Sequence, residues 1–421
     1  MSEQHPPRIN KFWALDIKST KSKKTSTVDE QDEKNQKGSR WLHMIEENQP
    51  TREKNEPKEE PGAFERAIAS AAKDKPRSSN RNSSSSARKQ SRKKNKHNHK
   101  ESLTNDDLLG MYRRMVLCRT LDERIWMLNR QGKAAIMASA QGHEAGQIGS
   151  VAALRKGYDQ FYIYYRDFAV LLELGLTPTD IIKGFTAKDG EPLSGARQFP
   201  THGAHPEFGI INLSNVVATQ IPQAVGSALA SKMRGEDRIS VAYFGDGAAS
   251  TGDCHEAMNF AAIHKLPVIF FCENNKYAIS VPISKQMAVD NISSRAQGYG
   301  FPGISVDGCN ILAVYEATNQ AAIRARAGEG PTLIEADVER YLPHTSDDDD
   351  SIYRSAGEIE EAKTRDPVKT LKEQLSSMNL IGEEQDQSIY DEARRIVNEA
   401  TDEAEKTPYP PTNEFGSYVY G

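Results

Sequence analysis

Cysteine is scarce in this chain. Four occur in 421 residues, Cys118, Cys254, Cys272 and Cys309, and no two stand as CxxC. A disulfide framework and a cysteine zinc site are therefore not expected, and a reducing compartment is. Long apolar runs are also missing. None reaches the ~18 residues of a membrane span, so no membrane association is expected. The N-terminus has no apolar signal core, and acids are interspersed from Glu3 onward. Both features speak against a mitochondrial presequence. A cytoplasmic protein of bacterial type is the expectation, with the mitochondrial matrix as the alternative. Regular aromatic interleaving for base stacking is absent from the basic N-terminal region, which weighs against a nucleic-acid partner.

The net charge of −5 is unevenly spread. Residues 1–100 hold 24 Lys and Arg against 14 Asp and Glu, a surplus of ten positive charges; the rest hold 30 against 45, a surplus of fifteen negative ones. Residues 1–101 read as a disordered, basic, low-complexity arm, because Lys, Ser, Asn, Gln and Glu bury too little apolar surface to offset ordering entropy. Two apolar islands interrupt it, KFWALDI (11–17) and RWLHMIEE (40–47). They read either as docking motifs or as chance. Residues 102–370 read as one α/β domain, and 371–421 as a helical segment with an extended tail. Thr104 is placed to cap a first helix carrying Leu108, Tyr112, Met115, Val116 and Arg119, with Gly132 as its stop. GHEAGQIGSVAAL (142–154) reads as a closely packed helix of small residues.

RISVAYF (238–244) and PVIFFCE (267–273) are short, β-rich apolar runs. The segment between them places Ala257, Phe260, Ala261 and His264 on one helical face. The pattern predicts a parallel βαβ unit. Asp246, between Gly245 and Gly247, and the pair Asn274–Asn275 then leave their strands at one carboxyl edge, where open α/β sheets bind ligands. A carboxylate and an amide oxygen are hard ligands that suit Mg²⁺, which also takes phosphate oxygens. The flanking glycines and the helix start after them suit phosphate.

GDG, 26 residues and then NN resembles the thiamin diphosphate motif. YYRDFAVLLELG (164–175), SNVVATQIPQAVGSALASKM (214–233), CENNKYAIS (272–280) and HTSDDDDSIYR (344–354) come in the order found in the alpha subunit of branched-chain 2-oxo acid dehydrogenases. The resemblance runs from about 104 to the C-terminus. It implies a thiamin diphosphate-binding α/β fold, a mainly parallel sheet flanked by helices.

It also implies roles. Asp246, Asn275 and the Tyr277 carbonyl would bind Mg²⁺. Tyr164, Tyr165, Arg166, Gly245, Gly247 and Ala248 would line the diphosphate site. Asn215 and Val217 would lie beside the aminopyrimidine ring, and His344 would be the active-site histidine. Arg166 beside Asp167 has a rival reading as a surface ion pair. Ser214, Thr219 and Gln220 match a potassium site of animal members, but Asn215 and Val216 depart from the Ser-Pro found there and weigh against potassium. Glu273 stands where some members have an arginine that contacts phosphate, so the site is expected to lean on Arg166 and Mg²⁺. Thr345 aligns with a regulatory serine of animal enzymes, and nothing in the sequence points to a kinase.

The Glu that protonates the aminopyrimidine lies on the beta subunit in this family. A body of about 320 residues holds one such domain, so the resemblance implies an α2β2 assembly. It further implies a dihydrolipoyl acyltransferase core whose lipoyl domain accepts the acyl group. The expected reaction is oxidative decarboxylation of branched-chain 2-oxo acids. The alternatives are an alpha subunit for pyruvate or acetoin and, more remotely, a degenerate scaffold or nucleic-acid-binding protein using the basic arm.

Overall fold

A computed structural model describes residues 103–211, 215–414 and 416–417. The N-terminal arm and its two islands lie outside the described residues. Eight strands are present among them: β1 Gln160–Tyr162, β2 Ile210–Ile211, β3 Ser240–Gly245, β4 Val268–Asn274, β5 Tyr277–Ala278, β6 Val281–Pro282, β7 Gly303–Asp307 and β8 Thr332–Asp337. Six form one parallel sheet in the order β2-β1-β3-β4-β8-β7. β5 and β6 form a small antiparallel pair. The chain runs from β1 outward to β2 and then returns across β1 to β3. The order therefore reverses between β1 and β3, the switch point at which such sheets open a crevice.

The central strands are apolar runs because both faces are covered. Alternation sorts their side chains into two cores. Val241, Tyr243, Ile269 and Phe271 belong to one; Ala242, Phe244, Phe270 and Cys272 belong to the other. On the first face lie the helices Asn105–Arg130, Glu144–Ala152 and Ile311–Arg326. The first of these starts as the sequence predicts: Thr104 and Asp107 form a reciprocal capping box. Gly149 permits close packing, since a Cβ there would meet the Ile311 carbonyl at 2.9 Å. The helix Pro367–Ser377 spans residue 371, and its Val368, Leu371 and Leu375 join the same core as Ile389 and Val397 of the last helix, Glu383–Lys406.

One expected helical face is wrong. In the helix Gly252–Ile263 the buried residues are Cys254, Ala257, Met258 and Ala261. Phe260 points outward, and its ring packs at a tilt against His264, which lies past the helix end. The spacing 254, 257, 258, 261 is a sound helical stripe, but it is written in small residues that the bulkier Phe260 outweighs on a hydrophobicity reading.

Candidate active site

Five carboxyl-end segments meet at the switch point. Tyr164, Tyr165 and Arg166 follow β1, and Asn215, Val216 and Val217 come after β2. Gly245 ends β3 and Asp246 to Ala248 follow it, Asn275 follows β4, and His344 follows β8. All line one cleft with about 300 Å³ of solvent-accessible space. Asp246 and Asn275 leave strands that are paired in register, Gly245 opposite Glu273. Tyr277, Ala278 and Ile279 close the lining beside them.

Arg166 is 1% exposed and Asp167 is fully buried, which excludes the surface ion-pair reading. Arg166 Nη1 donates to the Ser139 carbonyl at 2.5 Å and Nη2 to the His344 carbonyl at 3.2 Å. Its buried Nε has no partner among the described residues. Arg340 is equally buried. Its Nη2 donates to the Ile279 carbonyl at 3.1 Å and to the Tyr353 hydroxyl at 3.0 Å, while Nε and Nη1 are unpartnered among the described residues. Burial and the neighbouring Arg166 charge depress the Arg340 pKa. Two buried guanidiniums with unspent N–H groups call for an anion, because unpaired buried charge is costly. His344 feels the same field: burial, then Arg166 and Arg340, lower it to about 3, against a partial counter-effect from Asp348. It is a neutral imidazole in this environment.

Asp246 is 2% exposed, and its Oδ2 accepts from Gln286 Nε2 at 2.6 Å. Burial raises its pKa despite that bond. A cation beside it would offset the penalty. Asn275 is also buried, and its Oδ1 accepts from the Tyr277 backbone N–H at 3.3 Å. One carboxylate and one amide oxygen cannot complete an octahedron, so the donor set suits a Mg²⁺ ion that takes phosphate oxygens as well. Gly247 fits a close backbone approach: a Cβ there would lie 2.8 Å from Ala278 Cβ. Three non-glycine residues at or beside the cleft adopt left-handed backbone conformations, Ala218 (φ 72°), Lys276 (φ 71°) and Ile279 (φ 54°). For β-branched Ile279 this is strained, a condition that collects at ligand sites.

The potassium trio is less coherent. Ser214 lies outside the described residues. Thr219 does not line the cleft; Gln220 does, with its Nε2 donating to the Tyr243 carbonyl at 2.9 Å and its Oε1 unpartnered among the described residues. Glu273 is not in the cleft at all. Strand alternation puts it on the face of Phe271, where it is fully buried against His143 and Gln147. Residue 273 thus adds no carboxylate to the cleft lining, which Arg166 does join.

Sequence reasoning assigned no role to Gln286 or Arg340, which reach the site from distant segments with no local motif. It also passed over His143 and Gln147. Polar residues set within the small-residue segment 142–154 were the available signal. No helix among the described residues is long and apolar enough to cross a membrane.

Comparison with known proteins adds independent findings. Residues 112–413 match the family model described as dehydrogenase E1 component. The chain is 50% identical over 318 residues to the 2-oxoisovalerate dehydrogenase subunit alpha of Bacillus subtilis, covering 76% of this chain and 96% of that relative. It is 38% identical over 322 residues to the 3-methyl-2-oxobutanoate dehydrogenase subunit alpha of Mycobacterium tuberculosis, covering 76% and 85%. With the human mitochondrial 2-oxoisovalerate dehydrogenase subunit alpha the identity is 39% over 319 residues, covering 76% and 71%.

Proposed function

The chain belongs to the dehydrogenase E1 component family, and from that premise we propose that it is the alpha subunit of a branched-chain 2-oxo acid dehydrogenase. Its substrates are 3-methyl-2-oxobutanoate and the homologous acids, a choice over pyruvate supported by the names of its relatives. One observation carries the reading: Asp246 and Asn275 leave adjacent parallel strands into one cleft that Arg166 also lines.

Thiamin diphosphate, when bound, supplies a carbon nucleophile and an electron sink for decarboxylation. This chain supplies the groups that hold and orient it. Asp246, Asn275 and the Tyr277 carbonyl hold Mg²⁺. Arg166 presents a planar fork of donors to the diphosphate, with Tyr164 and Tyr165 beside it and Gly245, Gly247 and Ala248 allowing close approach. Asn215 and Val217 flank the organic part of the cofactor. His344, neutral before an anion arrives, can accept or hold a proton at the cleft edge. Val216, Val217 and Ile279 line the cleft yet are 65%, 57% and 55% exposed. Apolar side chains so placed support a covering partner, a beta subunit that completes the site. The acyl group then passes to the lipoyl domain of an acyltransferase core.

The test is turnover with an artificial electron acceptor, by this chain alone and after co-expression with its beta subunit. Activity is expected only for the pair, with 3-methyl-2-oxobutanoate preferred over pyruvate by ~10-fold or more. Turnover by the chain alone, or a preference for pyruvate, refutes the proposal.

A further inference from the structure

Behind the cleft lies a layer of buried polar side chains that the cofactor roles leave unused. Glu273 sits in β4, two residues before Asn275, with no exposed surface. Its Oε2 accepts from His143 Nδ1 at 2.5 Å, Gln147 Nε2 at 3.0 Å and the Tyr164 hydroxyl at 3.1 Å. His143 itself is fully buried and precedes the helix Glu144–Ala152 without spending its side chain as a cap. The other ring nitrogen, Nε2, lies 3.4 Å from Asn275 Nδ2.

The chemistry of these contacts has one consistent solution. An amide NH₂ can only donate, so His143 Nε2 must carry a lone pair. The ring proton then sits on Nδ1, where Glu273 accepts it. A second contact orients the same amide independently: the Tyr277 backbone N–H can only donate, and it faces Asn275 Oδ1. Nitrogen therefore faces His143 and oxygen faces the other way. The two ends of an amide are nearly isosteric, so packing alone does not choose between them; hydrogen bonds do. A flipped Asn275 would present NH₂ where a cation needs oxygen.

We propose that His143, with its tautomer set by Glu273, is a positioning residue that holds Asn275 with its oxygen available to the metal ion. This rests on the reading of Asp246 and Asn275 as Mg²⁺ ligands. Such outer partners of a metal ligand are worth ~10–100-fold in metal affinity.

Two substitutions separate positioning from mere support. His143→Asn keeps a polar atom near Nδ1, where Glu273 is held, and loses the acceptor near Nε2. His143→Gln keeps a polar atom near Nε2 that can present oxygen to Asn275. The measurement is a Mg²⁺ titration of the chain co-purified with its beta subunit, at fixed thiamin diphosphate, read by protein fluorescence rather than turnover. His143→Asn should weaken Mg²⁺ binding ~10–100-fold, with His143→Gln restoring most of it. Wild-type affinity in His143→Asn, or a greater loss in His143→Gln, overturns the proposal. Should His143→Asn not fold, Glu273→Gln replaces it. Its carbonyl can accept the same three donors and its amide can still bond the neighbouring Asp167, so near wild-type affinity is expected, and a tenfold loss overturns the tautomer assignment. Asn275→Ala is the control. Undiminished Mg²⁺ binding there would remove the metal-site reading itself, whereas loss there beside a wild-type His143→Asn removes only the positioning role.

Discussion

Gly247→Ala tests how closely the cleft is built around its ligand. The new methyl would lie 2.8 Å from Ala278 Cβ. Carbon atoms rest about 3.5–4.0 Å apart, so one side must yield by about 0.7–1.2 Å. Gly247 belongs to the turn Asp246–Ser250, anchored by buried Ala248 and Ala249. Ala278 sits in the two-residue β5–β6 pairing, half-buried between two left-handed residues, Lys276 and Ile279. The pairing is the softer side. Its displacement carries Tyr277, whose N–H is bonded to Asn275 Oδ1. Overpacking costs ~1–3 kcal/mol. If that cost falls on the ligand-ready conformation, affinity for thiamin diphosphate with Mg²⁺ drops ~5–150-fold, at 1.4 kcal/mol per tenfold. Thermal unfolding without cofactor should change little, because residues 277–281 belong to neither core. Gly252→Ala is the matched control, since its Cβ would meet nothing within 4 Å. Calorimetric titration of both variants decides the matter. Unchanged affinity in Gly247→Ala, or a lowered melting temperature with affinity intact, would refute the reasoning.

Asp246→Ala should leave the fold intact, since the only side-chain donor to its carboxylate among the described residues is Gln286. It should also abolish the response of thiamin diphosphate affinity to Mg²⁺; a wild-type response in calorimetry would sink the assignment. His344, held at about 3 against an ordinary 6.5, gives stability that is complete above pH 6.5 and lost as pH falls toward 3. His344→Gln should therefore gain urea resistance relative to the cofactor-free wild type as pH drops from 6.5 to 4; parallel urea midpoints across that range would contradict this. Deleting residues 1–101, which lie outside the family match, should preserve turnover with an artificial acceptor and lower NADH production by the whole complex, if the arm tethers this subunit to the acyltransferase core. Equal losses would make the arm a support for the fold, and no loss would make it dispensable.

The convergence of Asp246 and Asn275 was legible because it needs little beyond the sheet itself. Two apolar runs joined by one helix become neighbouring parallel strands, and their carboxyl ends then point to one edge. The residues just past Gly245 and Asn274 are thereby placed without knowing anything else. Phe260 was misplaced for the opposite reason. A face built from Cys254, Ala257, Met258 and Ala261 gives a weak hydrophobic contrast, and one large exposed ring reverses it. Gln286 and Arg340 were not legible as site residues: Gln286 ends a four-residue helix, Ile283–Gln286, too short to show a period, and Arg340 lies in the irregular path after β8.

The polar layer shows where a sequence holds half of an answer. Parity along β4 separates Glu273 and Asn275 from Cys272 and Asn274, and that much can be counted. The partners cannot be counted, because they come from elsewhere in the chain. On one face Asn274 Nδ2 donates to Glu335 at 2.7 Å, and its Oδ1 accepts from the Lys276 N–H at 2.9 Å. That side chain is spent on fastening the loop after β4. On the other face Asn275 meets His143 and the Tyr277 N–H, and its oxygen keeps a lone pair to give. Two identical residues in succession thus have different work. Exchanging their surroundings, rather than their identities, is what would change which of them can serve a metal ion.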